Sequence, residues 1–188
     1  MNDPRVTFSR AAAQTESVIA AVRPDQAGLP TPCAEWDVRT LVSHMAGGVQ
    51  RTALIGEGAD ALSVAPFADL GDDWAAAYRA AVRRAEAAWA DDTKLDELFT
   101  VPWGKVPGRI AVAGYVREVV AHGWDLAAAT GQPTELDPEL GLFALEVSRR
   151  SLPADARDGI PFGEVTPAPA GAGVYAQLAA WLGRELFV

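Results

Sequence analysis

Four stretches of this 188-residue chain place apolar residues at intervals of three and four, and no other feature constrains the fold as much. Residues 5–23 set Phe8, Ala11, Ala12, Thr15, Val18, Ile19 and Val22 along one helical face, with Pro24 just past the end. A second helix is expected from about Val38 to Ile55. A third opens at Asp72 and Asp73, whose charge suits a helix N-terminus. Its stripe is Trp74, Ala77, Tyr78, Ala81, Ala85, Ala88 and Trp89. A fourth runs from about Arg109 to Thr130, stopped by Gly131 with Pro133 beyond. Alanine is abundant and Val/Ile/Thr alternation is sparse, so helix is favoured over sheet.

Local signals punctuate these elements. Asp37 is placed to cap the second helix, with Trp36 and Leu41 at hydrophobic-staple spacing. Gly47 and Gly48 cost that helix about 1 kcal/mol each relative to Ala. Their use would be to let something approach the backbone beside His44. Asp91–Pro107 is too rich in Pro and Gly for a long element but has room for a short hairpin. Asp137-Pro138 starts a fifth helix ending near Ser151. Ala154–Ala172 is expected to be loop, and Val174–Leu186 a last short helix. Four long amphipathic helices suit a four-helix bundle with the extra helix and tail outside it. One domain is expected over 1–188, with a helical core over about 5–131 and a C-terminal extension over 132–188.

The net charge is −9, which sets phosphate backbones and anionic membranes against the chain, so neither nucleic acid nor membrane is an expected partner. No window approaches the roughly 20 apolar residues of a membrane span. The single cysteine, Cys33, excludes an intrachain disulfide framework. With no signal-peptide layout at the start, the expected location is the cytoplasm.

The chemistry centres on Arg117–Gly131, REVVAHGWDLAAATG. Glu118 and His122 share one helix face, Tyr115 lies one turn before and Asp125 nearly one turn after. Val112, Val116, Val119 and Leu126 surround the row with apolar surface, where a carboxylate and an imidazole are costly to bury unpaired. A Glu and a His four apart are ordinarily just a helical contact. Here the only other histidine, His44, falls on the inward stripe of a separate helix. His44, Glu118 and His122 would together hold a divalent ion, zinc first, with nickel, manganese or iron as alternatives. Three protein ligands leave a position open for an exogenous group.

WDVRTLVSHMAGG resembles the second-helix signature of the DinB-like metal-binding superfamily. EVVAHGWDLAAATGQ resembles the fourth-helix signature of its mycothiol-dependent maleylpyruvate isomerase-like branch. The PTPCAEWDVR lead-in and the closing IPFGE…LAAWLGRE are similar to that branch too. The likeness covers nearly the whole chain. It implies an all-α DinB/YfiT-like four-helix bundle, with metal ligands at His44, Glu118 and His122. It also implies transfer or isomerisation chemistry using a low-molecular-weight thiol such as mycothiol. Isomerases of the group carry a larger C-terminal part than the residues that follow the fourth helix here.

The expected function is therefore a metal-dependent thiol S-transferase or isomerase acting on a small electrophile. The alternatives are a metal-dependent hydrolase and a non-catalytic metal- or ligand-binding module. Mycothiol is the expected cosubstrate, and both a monomer and a homodimer stay open. Tyr115 and Asp125 are the candidate catalytic or supporting groups. Tyr115 could hydrogen-bond a bound ligand, while Asp125 could orient a metal ligand or hold an arginine. Trp36 and Trp124 read as packing residues. Arg39 and Arg117 are by default solvated charges, and Cys33, with no basic neighbour in sequence, is expected to be an ordinary thiol.

Overall fold

A computed structural model describes residues 3–34 and 36–184. Among these are six helices and one small hairpin: α1 Pro4–Ala20, α2 Val38–Gly56, α3 Trp74–Ala88, β1 Leu98–Val101, β2 Gly104–Pro107, α4 Gly108–Ala129, α5 Pro138–Ser151 and α6 Val174–Trp181. The four long helices close a ring in which α1 packs on α4 and α3, and α2 packs on the same two. The protein is all-α apart from the hairpin, in which Leu98 pairs with Pro107 and Val101 with Gly104, antiparallel.

The caps explain the boundaries. Asp3 accepts from the Arg5 amide ahead of Pro4 at the first helical position of α1. Arg23, before Pro24, is extended, so α1 ends short of residue 23. Asp37 accepts from Thr40 N at 2.8 Å to start α2, as expected. Gly131 takes a left-handed φ of 67° and ends α4, with the Gln132 amide reaching back to the Ala127 carbonyl at 2.9 Å. Asp137 caps α5 through the Glu139 amide.

The sixth helix is shorter than its periodicity predicts. Gly183 adopts φ 69°, and the Arg184 amide bonds back to Ala179 O at 2.9 Å, so α6 ends and the chain turns inward at Arg184. Residues 185 and 186, included in the expected helix, lie outside the described residues.

α4 is buried on nearly every side, because α1, α2, α5, α6 and the hairpin all rest on it. It packs tightly on α1 at Gly123, where a Cβ would stand 2.7 Å from Thr15 Oγ1; that hydroxyl donates to Val119 O at 3.2 Å. α5 and α6 pack on each other and on α4. The connector between them is held by the Arg157 guanidinium, which donates to the carbonyls of Pro153, Gly163 and Trp181.

The two glycines of α2 differ in use. A Cβ on Gly47 would collide with the Pro66 carbonyl and sit 2.7 Å from Phe67 N, whereas one on Gly48 would meet nothing within 4 Å. The close approach expected beside His44 is therefore real at Gly47 only. Ser43, Gly47 and Arg51 stand at successive i+4 positions and form one docking row. Ser43 exchanges hydrogen bonds with the Ala68 backbone, its hydroxyl donating to Ala68 O at 2.7 Å. Arg51 Nε donates to Val64 O at 2.9 Å. The 64–68 loop is thus clamped along α2. Gly47→Ala is expected to cost about 1–3 kcal/mol through overpacking. Gly48→Ala should gain up to about 1 kcal/mol from helix propensity. Urea denaturation of the two variants measures the opposite signs.

Candidate functional site

One row of α4 carries Tyr115, Glu118, His122 and Asp125, at spacings of three and four. His122 is 6% exposed and is engaged at both ring nitrogens. Its Nε2 lies 3.4 Å from Glu118 Oε2, and its Nδ1 lies 3.0 Å from Asp125 Oδ2. The other oxygen of Glu118 pairs with the Arg117 guanidinium. From α2, His44 brings its ring edge-on to His122 at a centroid distance of 5.1 Å. His44, Glu118 and His122 each offer one donor atom, and all three atoms lie within 4.8 Å of one another. His44 Nδ1 is buried with no hydrogen-bond partner among the described residues. The structure thus brings together the three side chains expected to act as ligands.

The cluster is internally ionised. Burial lowers the pKa of His44, with the charge of His122 adding to it, and His44 falls to about 4; it is neutral near pH 7, as a metal ligand must be. Burial opposes charge on Glu118. The Arg117 cation and the His122 contact outweigh that penalty and hold Glu118 below the usual carboxylate range. Burial would also lower His122, but hydrogen bonds to Asp125, Cys33 and Glu118 push it well above 6.5. Asp125 is held low despite its own burial, chiefly by His122 and Arg184.

An aromatic wall surrounds the imidazoles. Trp36, in the connector just before α2, stands 4.5 Å from His44 and 6.1 Å from His122, centroid to centroid. Phe67, on the clamped loop, is 5.5 Å from His44 and 5.7 Å from Trp36. Trp36 therefore does more than staple α2, since its ring borders both histidines. Trp124 is buried in the hydrophobic core and is a packing residue, as expected. Tyr115 is buried against Trp103 of the hairpin tip, and its hydroxyl has no hydrogen-bond partner among the described residues.

Several contributors could not be seen along the sequence. Cys33 is no isolated thiol. Its Sγ is 3.2 Å from Asp125 Oδ2 and 3.6 Å from His122 Nδ1. It is delivered there by a turn in which Thr31 Oγ1 accepts from Cys33 N and donates to Trp36 O. Threonine two residues before the cysteine was the available signal. Arg117 is not a solvated charge but is buried, donating to Ser151 Oγ as well as Glu118, with its guanidinium over the Phe162 ring. Arg39 is exposed and lies over Trp74. Asp125 meets His122 Nδ1 with one oxygen, and its other oxygen faces Arg184 Nε at 3.3 Å.

A helical ring whose histidines and carboxylate converge from two helices defines an all-α, DinB-like protein. Residues 8–127, most of the chain and all three convergent side chains, match the family described as Mycothiol maleylpyruvate isomerase N-terminal domain. The chain belongs to that family. It is also similar to two proteins of Mycobacterium tuberculosis, from strains CDC 1551 and H37Rv, each described as uncharacterized. Identity to each is 38% over 185 residues, covering 98% of this chain and 99% of the relative. No solved structure matches the chain. No helix among the described residues is long and apolar enough to cross a membrane.

The two histidines predict how metal-free stability depends on pH. The raised pKa of His122 gives stability that is fully present below its unfolded value of 6.5 and is lost as pH rises through the folded value. The lowered pKa of His44 gives stability that is present above 6.5 and is lost as pH falls toward about 4. Glu118 and Asp125, both depressed, add to the acid loss. Thermal unfolding in the presence of a chelator should therefore peak in stability near pH 6.5. In His122→Gln the alkaline decline from this source should vanish; an unchanged profile would show that His122 is not held as described.

Proposed function

We propose that this protein is a metal-dependent thiol S-transferase or isomerase, with mycothiol as its thiol and a small electrophile as its second substrate. The observation that carries the reading is the convergence of one donor atom each from His44, Glu118 and His122, all within 4.8 Å of one another. A carboxylate and two imidazoles gathered in one mostly buried place are costly unless a partner completes them. Two neutral nitrogens and one carboxylate oxygen suit zinc and its first-row neighbours. His44, Glu118 and His122 would hold the ion and leave a position open. A divalent ion there supplies Lewis acidity, lowering the pKa of a bound thiol so that its sulfur is nucleophilic near neutral pH.

The protein's own groups set up the rest. Asp125 holds the Nδ1 side of His122 at 3.0 Å, so that once the Nε2 proton is displaced the Nε2 lone pair would be the one turned toward the cluster. Arg117 balances the charge of Glu118 and fixes its orientation. Trp36 and Phe67 keep water from the apolar side of the histidines. Tyr115 is buried beside Glu118 with its hydroxyl free, which suits donation to an oxygen of the electrophile as charge develops there. The family's name supports a thiol of the mycothiol type.

Tag-free protein is expected to carry a divalent ion that His44→Ala and His122→Ala each lose, measured by elemental analysis. Mycothiol should raise the melting temperature only in the metal-loaded protein, by an amount equivalent to about 2.7 kcal/mol at a hundred times its dissociation constant. Full metal retention by both variants would overturn the site. Turnover of an ester or amide without thiol would replace the transferase by a metal-dependent hydrolase.

A further inference from the structure

The imidazole of His122 has a second donor set behind it. Cys33 Sγ, Asp125 Oδ2 and His122 Nδ1 form a triangle with edges of 3.2, 3.6 and 3.0 Å. A tetrahedral zinc ion with ordinary zinc–sulfur, zinc–nitrogen and zinc–oxygen bonds separates its donors by about 3.3–3.6 Å. The Cys33–His122 edge of 3.6 Å lies in that range, and the 3.2 and 3.0 Å edges need open by only a few tenths of an ångström to reach it. The three donors come from two elements fixed by other contacts, the Thr31–Trp36 turn and α4. All three residues are buried, with Cys33 and His122 each 6% exposed and Asp125 1%. Arg184 faces the opposite oxygen of Asp125, so it orients the carboxylate while leaving Oδ2 to the sulfur and the imidazole.

We infer that Cys33, Asp125 and Nδ1 of His122 form a second, thiophilic divalent-cation site, joined to the His44–Glu118–His122 cluster through the two nitrogens of one imidazole. It shares His122 with the proposed function but does not depend on the chemistry proposed there. The exchange balances. One dication replaces two protons, the Cys33 thiol proton and the His122 Nδ1 proton, and both leave to solvent. No oxidation state changes, and the net charge of the set is conserved. Thiolate sulfur makes this site favour zinc, or cobalt as its spectroscopic surrogate, over magnesium and manganese. The first cluster has only nitrogen and oxygen donors and lacks that preference.

Cobalt(II) titration of the metal-free protein tests the inference without any assay of activity. Cys33 is the only cysteine, so a near-ultraviolet thiolate-to-cobalt charge-transfer band reports this site alone. The band is expected in the wild type, persisting in His44→Ala and absent in Cys33→Ser. Asp125→Asn should weaken cobalt binding in that band by tenfold or more. Protection of the wild-type thiol from alkylation by saturating zinc is a second readout that needs no variant. Visible cobalt absorption that depends on His44, with no charge-transfer band at saturation, would overturn the second site and leave the first. A charge-transfer band with no His44-dependent cobalt would support the second site and overturn the first. Absence of both signals would overturn both.

Discussion

Everything in this site depends on His122 being held from both sides. A buried imidazole with one free nitrogen could rotate or shift its proton. Here Asp125 fixes Nδ1 at 3.0 Å and Glu118 faces Nε2 at 3.4 Å. Both carboxylates lie on the same helix as the histidine, at i+3 and i−4, so the arrangement is set as soon as α4 forms and is buried. Burial then makes each charge matter more, because few alternatives to pairing remain in a low-dielectric interior. His44 differs from His122 in kind: among the described residues it has no carboxylate at hydrogen-bond distance, and burial leaves it neutral near pH 7.

The parts of the chain outside α4 can be understood by what they bring to that imidazole. The connector before α2 supplies Cys33 and Trp36. The loop after α2 supplies Phe67, and can lie close enough only because position 47 has no side chain. The C-terminal segment supplies Phe162, whose ring is covered by Arg117 at 5.2 Å and Arg184 at 5.9 Å. Those two arginines in turn neutralise Glu118 and Asp125. The extension is thus electrostatically part of the site. Without Arg184, the buried Asp125 would lose the cation beside its outer oxygen, and the penalty for a buried unpaired charge would fall on it.

Much of this was legible in the sequence because helices announce themselves locally. The apolar stripes, the Asp37 and Asp137 caps and the Gly131 stop each act within one turn of chain, and the structure has them where they were expected. The E-x3-H pair on one face and the lone histidine on another stripe were enough to propose the convergence of His44, Glu118 and His122. What was not legible is long-range. Nothing near Cys33 in sequence signals Asp125, and Arg117 looks like any helical surface arginine until α5 and the Phe162 loop cover it. The end of α6 was missed for a different reason. Its apolar period runs on past Gly183, but the backbone there turns left-handed and points Arg184 at α4. The docking row Ser43, Gly47 and Arg51 had a readable i+4 spacing, yet its partner is a loop with no periodicity of its own.

The central claim is that His44 and His122 converge on one divalent ion, with Asp125 holding the Nδ1 side of His122. The chain has only these two histidines, so tag-free protein labelled with nitrogen-15 in histidine alone gives a spectrum of four ring nitrogens. Long-range nitrogen–proton correlation during addition of one equivalent of zinc addresses the claim directly. The account predicts that a nitrogen of each ring shifts in the same stoichiometric step. A spectrum in which zinc moves neither ring, or only one of them, would contradict it.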